Sequence, residues 1–228
     1  GNLTLQAGRS VLVNANITTD NGDLTLIAND TTSNGVVDGQ RDSGAAVITL
    51  ASETTINTGT GAFTSTINAG TGKTNLTSGD ITLSSVRAGS LVVTNSGPTS
   101  GSDILDTGVL TIAGTSSFTT SVSNAVITLD SGNAFTGAVS LNTTGSSAHA
   151  TVVDASGLNL AASTVGGNLI ATATTGNIVD SGALTIAGTS SFTTSANNAT
   201  IALDTTTNAF TGAVTITTND NSGTDADV

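Results

Sequence analysis

An apolar–Thr–apolar triplet returns along this whole chain, and no other feature constrains its fold as tightly. The copies are Leu3-Thr4-Leu5, Leu24-Thr25-Leu26, Ile48-Thr49-Leu50, Ile81-Thr82-Leu83, Leu110-Thr111-Ile112, Ile127-Thr128-Leu129, Leu184-Thr185-Ile186 and Val214-Thr215-Ile216. Ser, Asn or Ala replaces the central Thr in Val139-Ser140-Leu141, Leu158-Asn159-Leu160 and Ile201-Ala202-Leu203. Successive strand side chains point to opposite faces, so each triplet buries two aliphatics and exposes its centre. A short strand repeated this often, with Gly, Asn, Asp and Ser between copies, predicts a stacked β-solenoid.

The triplets sit inside a longer repeat. Asp106-Thr-Gly-Val-Leu-Thr-Ile-Ala-Gly-Thr-Ser-Ser-Phe-Thr-Thr-Ser121 returns as Asp180-Ser-Gly-Ala-Leu-Thr-Ile-Ala-Gly-Thr-Ser-Ser-Phe-Thr-Thr-Ser195, an offset of 180 − 106 = 74 residues. The offset becomes 210 − 135 = 75 at Phe135 and Phe210, because Thr205-Thr206-Thr207-Asn208 answers Ser131-Gly132-Asn133. Upstream, Ile81 to Leu91 parallels Leu158 to Leu169, and Asp103-Ile-Leu-Asp106 parallels Asn177-Ile-Val-Asp180. The sole proline, Pro98, lies in a connection that is longer in the first copy. At roughly 18 to 20 residues per coil, the long repeat would fill about four coils and the chain about twelve, near 55 to 60 Å of stack.

The pattern fits one domain, an all-β parallel right-handed β-helix over residues 1–228. Residues 1–78 read as irregular coils with a loop projecting near 29–44. Residues 79–228 read as two copies of a repeat of about 74–78 residues, the second incomplete. A string of β-sandwich modules is the alternative, disfavoured by the lack of a buried Trp or Cys pair.

Composition narrows the chemistry. The chain has no Cys, so disulfides, thiol catalysis and soft-metal sites are excluded. Thr makes up about a fifth of the residues, far above ordinary usage. The net charge of −12, with four basic residues dispersed at Arg9, Arg41, Lys73 and Arg87, argues against nucleic acid and anionic membranes. No stretch is long and apolar enough for a membrane helix.

No residue qualifies as catalytic, cofactor-binding or metal-ligating. His149 is the only imidazole and is expected at the surface. Asp103, Asp106, Asp180 and Asp204 have no basic or aromatic partner in sequence, and the matched pairs Asp106/Asp180 and Asp130/Asp204 are expected at turns, hydrogen-bonded to their own backbone. Carbohydrate chemistry on a β-helix would need an acid cluster with a base, such as Lys73 or Arg87 beside two carboxylates. Asp20-Asn-Gly-Asp23 and Asp220 to Asp227 invite calcium but match no spaced calcium loop. The five Phe are expected to stack coil over coil in the core. Asn-x-Thr tripeptides at Asn2, Asn16, Asn29, Asn75, Asn142 and Asn198 are formal glycosylation acceptors. Thr64-Ser65-Thr66, Thr172-Ala173-Thr174 and Thr215-Ile216-Thr217 raise an ice-binding Thr array, but such pairs do not recur at every coil.

Residues Gly1-Asn2-Leu3-Thr4-Leu5-Gln6-Ala7-Gly8, Ser10 to Ala15 and Asn21-Gly22-Asp23-Leu24-Thr25-Leu26-Ile27-Ala28 resemble the repeats of filamentous-haemagglutinin-type exoproteins. That resemblance implies a right-handed β-helical shaft of a large adhesin, exported by two-partner secretion to the surface of a Gram-negative cell. The expected function is therefore a non-enzymatic shaft supporting attachment or biofilm formation, without cofactors. A self-assembling fibre or sheath subunit is the alternative. Expected partners are neighbouring repeats or identical subunits end to end, with a host or neighbouring cell surface beyond them. The chain, which begins mid-pattern, is expected to be a segment of a longer protein.

Overall fold

A computed structural model of the chain describes residues 1–74 and 76–219, the side chain of Ser33 excepted. It contains 25 strands and two short 3₁₀ turns, Thr32–Asn34 and Asp38–Gln40. Every strand pairing is parallel, and each strand pairs with the equivalent strand one coil away. The architecture is the expected β-solenoid.

Three faces can be followed along the chain. The first runs through Leu3–Gln6, Leu24–Ala28, Ala62–Ile67, Ser90–Asn95, Ser116–Thr120 and Val139–Asn142. The second begins Val11–Val13, Ala46–Leu50, Ser78–Leu83, Ile104–Asp106 and continues to Val214–Asn219. The third begins Ile17–Thr18, Thr55–Asn57, Ser85–Ala88, Leu110–Ile112. Ile127–Phe135 serves two faces, its start pairing with Ile104 and its end with Thr111 and Ile112.

The triplets behave as their alternation requires. Leu24, Leu26, Ile48, Leu50, Ile81, Leu83, Leu110, Ile112, Ile127 and Leu129 are all buried, and their central Thr residues are not. The aliphatics of successive coils fall in register, as in Val11↔Ile48↔Ile81↔Ile104↔Ile127. The core is thus a continuous column, closed by hydrophobic burial on the inside and backbone ladders on the wall.

The coil count departs from the expected twelve. Nine strands stack along the second face, so the described stack has about nine coils and a length of roughly 43 Å. Coils in the regular part take 19 to 24 residues, as in Ile104↔Ile127, Ala150↔Leu169 and Ser190↔Val214. The early coils are longer still, 48 − 11 = 37 residues from Val11 to Ile48 and 81 − 48 = 33 from Ile48 to Ile81. The projecting loop and the 68–77 connection account for the excess.

The long repeat is likewise not four coils. From Ile104–Asp106 to its counterpart Ile178–Asp180 the chain advances ten strand positions, counting Ile127–Phe135 twice. Ten positions on three faces make three and one third coils, so the second copy is turned by one face. Ser116–Thr120 lies on the first face, and its copy Ser190–Asn197 lies on the second. The phenylalanines follow. Phe118 meets Phe135 edge-on across the core at 6.0 Å, and Phe192 meets Phe210 in the same way at 5.9 Å, one face further round. These are cross-core pairs within each copy, where vertical stacking was expected.

A glycine column makes the same step. Gly61, Gly89, Gly114 and Gly137 stack at the corner before the first face, and Gly167, Gly188 and Gly212 at the corner before the second. Here the backbones approach too closely for a side chain: Gly114 N–H donates to Gly89 O at 2.6 Å, and a Cβ on Gly114 would lie at that distance from the same oxygen. Two core-facing hydroxyls also recur, since Ser116 and its copy Ser190 bury Oγ atoms with no partner among the described residues.

Two substitutions check this packing. Gly114→Ala is expected to destabilise by about 1–3 kcal/mol, because the new methyl meets backbone. Ser116→Ala is expected to be neutral or to stabilise by up to about 1 kcal/mol, because it removes a buried unpaired hydroxyl. Denaturant unfolding of both variants measures the two signs, and a neutral Gly114→Ala would sink the close-approach account.

Candidate functional site

Polar chemistry in this molecule concentrates at coil corners, where the parallel ladder leaves backbone N–H groups without carbonyl partners. The residue immediately before a strand's first aliphatic supplies the missing acceptor. Asn2 Oδ1 accepts from Asp23 N–H at 3.0 Å, and Asp23 Oδ1 from Ala62 N–H at 2.9 Å. Asp80 accepts from Asp103 N–H at 3.0 Å, and Asp103 from Val126 N–H at 2.8 Å. Asn168 accepts from Thr189 N–H and Asn177 from Thr200 N–H, both at 2.9 Å. Exposed His149 takes the same post, its Nδ1 accepting from Asn168 N–H at 2.9 Å. Asp, Asn and His interchange here, so the corner uses a lone pair and not a charge.

A second acceptor set is buried. Asp106 receives Asp130 N–H at 2.9 Å and Asn133 Nδ2 at 2.7 Å, while Asn133 Oδ1 accepts from Leu110 N–H at 2.8 Å. The copy repeats it: Asp180 receives Asn208 Nδ2 at 2.6 Å, and Asn208 Oδ1 accepts from Leu184 N–H at 2.8 Å. The one-residue insertion before Asn208 therefore leaves the clasp whole. These acids hold the next coil, where bonds to their own turn were expected. Asp130 and Asp204 are exposed at the corners.

Burial pushes the Asp106 and Asp154 carboxyls above their ordinary value, against the donors that surround them. Burial, with the neighbouring Asp103 charge, does the same to Asp80. None of these acids faces a base. Asp103 and Asp106, three positions apart in sequence, point to different corner networks.

The cations tell a different story. Arg9, Arg41 and Lys73, dispersed in the sequence, meet at one corner, while Arg87 stands apart on the third face. They pin the segment 29–45. Arg41 Nε donates to Gly8 O at 2.8 Å, its Nη1 to Asp42 O and Gly44 O, and its Nη2 to Asn29 Oδ1 and Thr77 O. Arg9 Nη1 donates to Ser43 O at 2.7 Å, and buried Lys73 Nζ to Gly8 O at 3.2 Å. Burial and the Arg41 charge lower the Lys73 pKa. Lys73 thus lies near Asp30 and Asp38, the arrangement that carbohydrate chemistry would require. Both acids are already engaged. Asp38 accepts from Thr74 N–H and Oγ1, and those bonds hold its carboxyl below the ordinary value. Asp30 accepts from Thr31 N–H, Asn34, Asn68 and Gln6.

Geometry places the other residues singled out in the sequence. Asp23 of the Asp20–Asp23 turn is spent on the corner ladder, and no metal-holding acid cluster occurs among the described residues. Asp220 to Asp227 and Asn75 lie outside the described residues. Asn29 is fully buried with its Nδ2 on Asn68 O, which closes it to glycosylation in the folded chain. Outward Thr ranks exist, as in Thr66↔Thr94↔Thr119, but Ile27, Val92 and Ile170 interrupt them, and Thr174 turns its hydroxyl onto Ala155 O. Among the described residues, no helix is long and apolar enough to cross a membrane.

The corner account fixes a sign for pH. A carboxyl raised above 3.8 in the folded state binds its proton more readily there, so folding gains stability as pH falls through that raised value and has gained it fully below 3.8. Asp80→Asn keeps the acceptor, as Asn168 and Asn177 do, and removes the charge. Its melting temperature is expected above the parent's at pH 7 and level with it near about pH 3. An equal or lower melting temperature at pH 7 would show that the carboxylate charge itself is used.

Comparison with known proteins gives one family match. The model described as "Repeats of unknown function (DUF5649)" matches residues 69–142 and 147–217, one span on each copy of the long repeat. No curated protein matches, and no solved structure does. The two spans cover more than half of the chain, and the protein belongs to this family of repeats, DUF5649.

Proposed function

We propose that this chain is a non-enzymatic shaft segment of a large bacterial surface adhesin, which holds a binding element away from the cell or presents a long contact surface. One observation carries the reading. The acids at the coil corners are consumed in holding one coil to the next, through Asp80, Asp103, Asp106, Asp154 and Asp180. What remains outward on the strands is Thr, Ser and scattered aliphatics, a surface suited to length and solubility. Extracellular placement on a Gram-negative cell belongs to the same proposal, and rests on the resemblance of residues 1–28 to exoprotein repeats.

A fibre subunit stacking end to end is the second reading. Leu3 at one end of the described stack and Val214 and Ile216 at the other are exposed, where equivalent inward residues of interior coils are buried. Either more of the same chain or a second copy would cover them. Small-angle scattering over a concentration series separates the two. A shaft segment is expected to keep a length of roughly 43 Å at all concentrations. Growth in multiples of that length would replace the shaft by the fibre.

A further inference from the structure

The loop that Arg41 pins also roofs a cleft of about 370 Å³, of the size that takes small ligands. Arg9, Arg41, Leu12, Val36, Val37 and Gln40 are among the residues that line it. The Asp42 carboxylate lines it too, so the two guanidiniums leave the lining with a net positive charge. Leu12 and Val37 are more than half exposed, at 57% and 56%, so the wall offers bare aliphatic surface.

The charge of this cleft is unusual for a chain of net −12. The hydrogen-bond partners given above for both guanidiniums are neutral oxygens, Ser43 O for Arg9 and four carbonyls with Asn29 Oδ1 for Arg41. Those bonds orient the two cations without cancelling their charge. Burial and the nearby Arg9 charge both disfavour protonated Arg41, and Asp38 only partly offsets them. An anion seated against the pair would relieve both costs, and a guanidinium fork suits a carboxylate.

We propose that this cleft binds a carboxylate-bearing sugar, a hexuronate residue, with the carboxylate on Arg9 and the C–H face of the ring on Leu12 and Val37. Gln40 supplies an amide for ring hydroxyls. Arg41 serves as the second positive charge, since its five donors already hold the loop. The site is independent of the shaft reading and would stand if the chain proved to be a fibre subunit.

Calorimetric titration of the intact chain with glucuronate, glucose and sulfate at matched ionic strength tests this. Glucuronate is expected to bind with a roughly millimolar Kd, and glucose and sulfate at least about tenfold more weakly. Arg9→Gln should weaken glucuronate by about tenfold or more. Because Arg9 also anchors Ser43, a second variant, Val37→Asp, places a repelling carboxylate in the cleft without touching that anchor and should weaken it similarly. Glucuronate that fails to saturate, or that binds both variants like the parent, overturns the site. Sulfate binding as tightly as glucuronate overturns the sugar.

Discussion

Every part of this molecule depends on one spacing, the roughly 4.8 Å between coils that a parallel backbone ladder imposes. Strands meet it without effort. Corners do not, because a chain turning from one face to the next swings its N–H and C=O groups out of the ladder. The sequence answers with an acceptor placed one residue before the strand's first aliphatic. Ile81 N–H donates to Asp103 O at 2.9 Å while Asp103 N–H donates to the Asp80 carboxylate at 3.0 Å. Side chain and backbone together keep the corner in step with the wall. Where two corners come closest, as at Gly89 and Gly114, glycine is the residue that fits.

The same spacing explains where variation is tolerated. An extra residue between Leu203 and Asn208 bulges outward, and Asn208 still reaches both Asp180 and Leu184 N–H. The loop 29–45 is a far larger bulge, and it needs more than slack chain to sit still. Three of the four cations in the molecule are spent on it, each bonded to carbonyls of the loop or of the coil beneath. Carbonyl-bound cations of this kind, Lys73 buried and Arg41 partly so, cost desolvation, so their concentration at one corner marks that bulge as specified structure.

Much of the fold was legible because it is written in strands. Alternation in Leu24-Thr25-Leu26 states which side chains go in, and it is the same statement on any face. That is also why the coil count and the turn of the repeat were not legible. Leu110-Thr111-Ile112 and Leu184-Thr185-Ile186 are identical, yet they stand on different faces, since nothing in a triplet encodes its azimuth. Counting residues per coil failed for a related reason: connections such as 68–77 add chain without adding a strand. The corner acceptors did leave a trace, an Asn, Asp or His directly before an aliphatic at Asp23-Leu24, Asp103-Ile104, His149-Ala150 and Asn177-Ile178. The parallel between Asp103 and Asn177 was visible, though not that it preserved an acceptor. The meeting of Arg9, Arg41 and Lys73 left none, because the three residues lie in separate coils and come together only through stacking.

The turn of one face per repeat bears on what such a chain can present. A surface meant to match a flat, ordered partner must keep its outward residues on one face for the whole length of the rod. Here the Ser-x-Thr rank of Ser117 and Thr119 stands on the first face and its copy, Ser191 and Thr193, on the second. Three such copies would run through thirty strand positions, ten coils, before the pattern faced the same way again. Features carried by the repeat therefore wind around the shaft and are shown to all sides, which suits a rod approached from any direction. The core aliphatics and the corner acceptors are indifferent to that rotation, because each needs only its neighbour one coil away. A repeat of ten strands on three faces keeps every stabilising contact of the stack while giving up a single recognition face, and that combination favours the shaft over any planar binding surface.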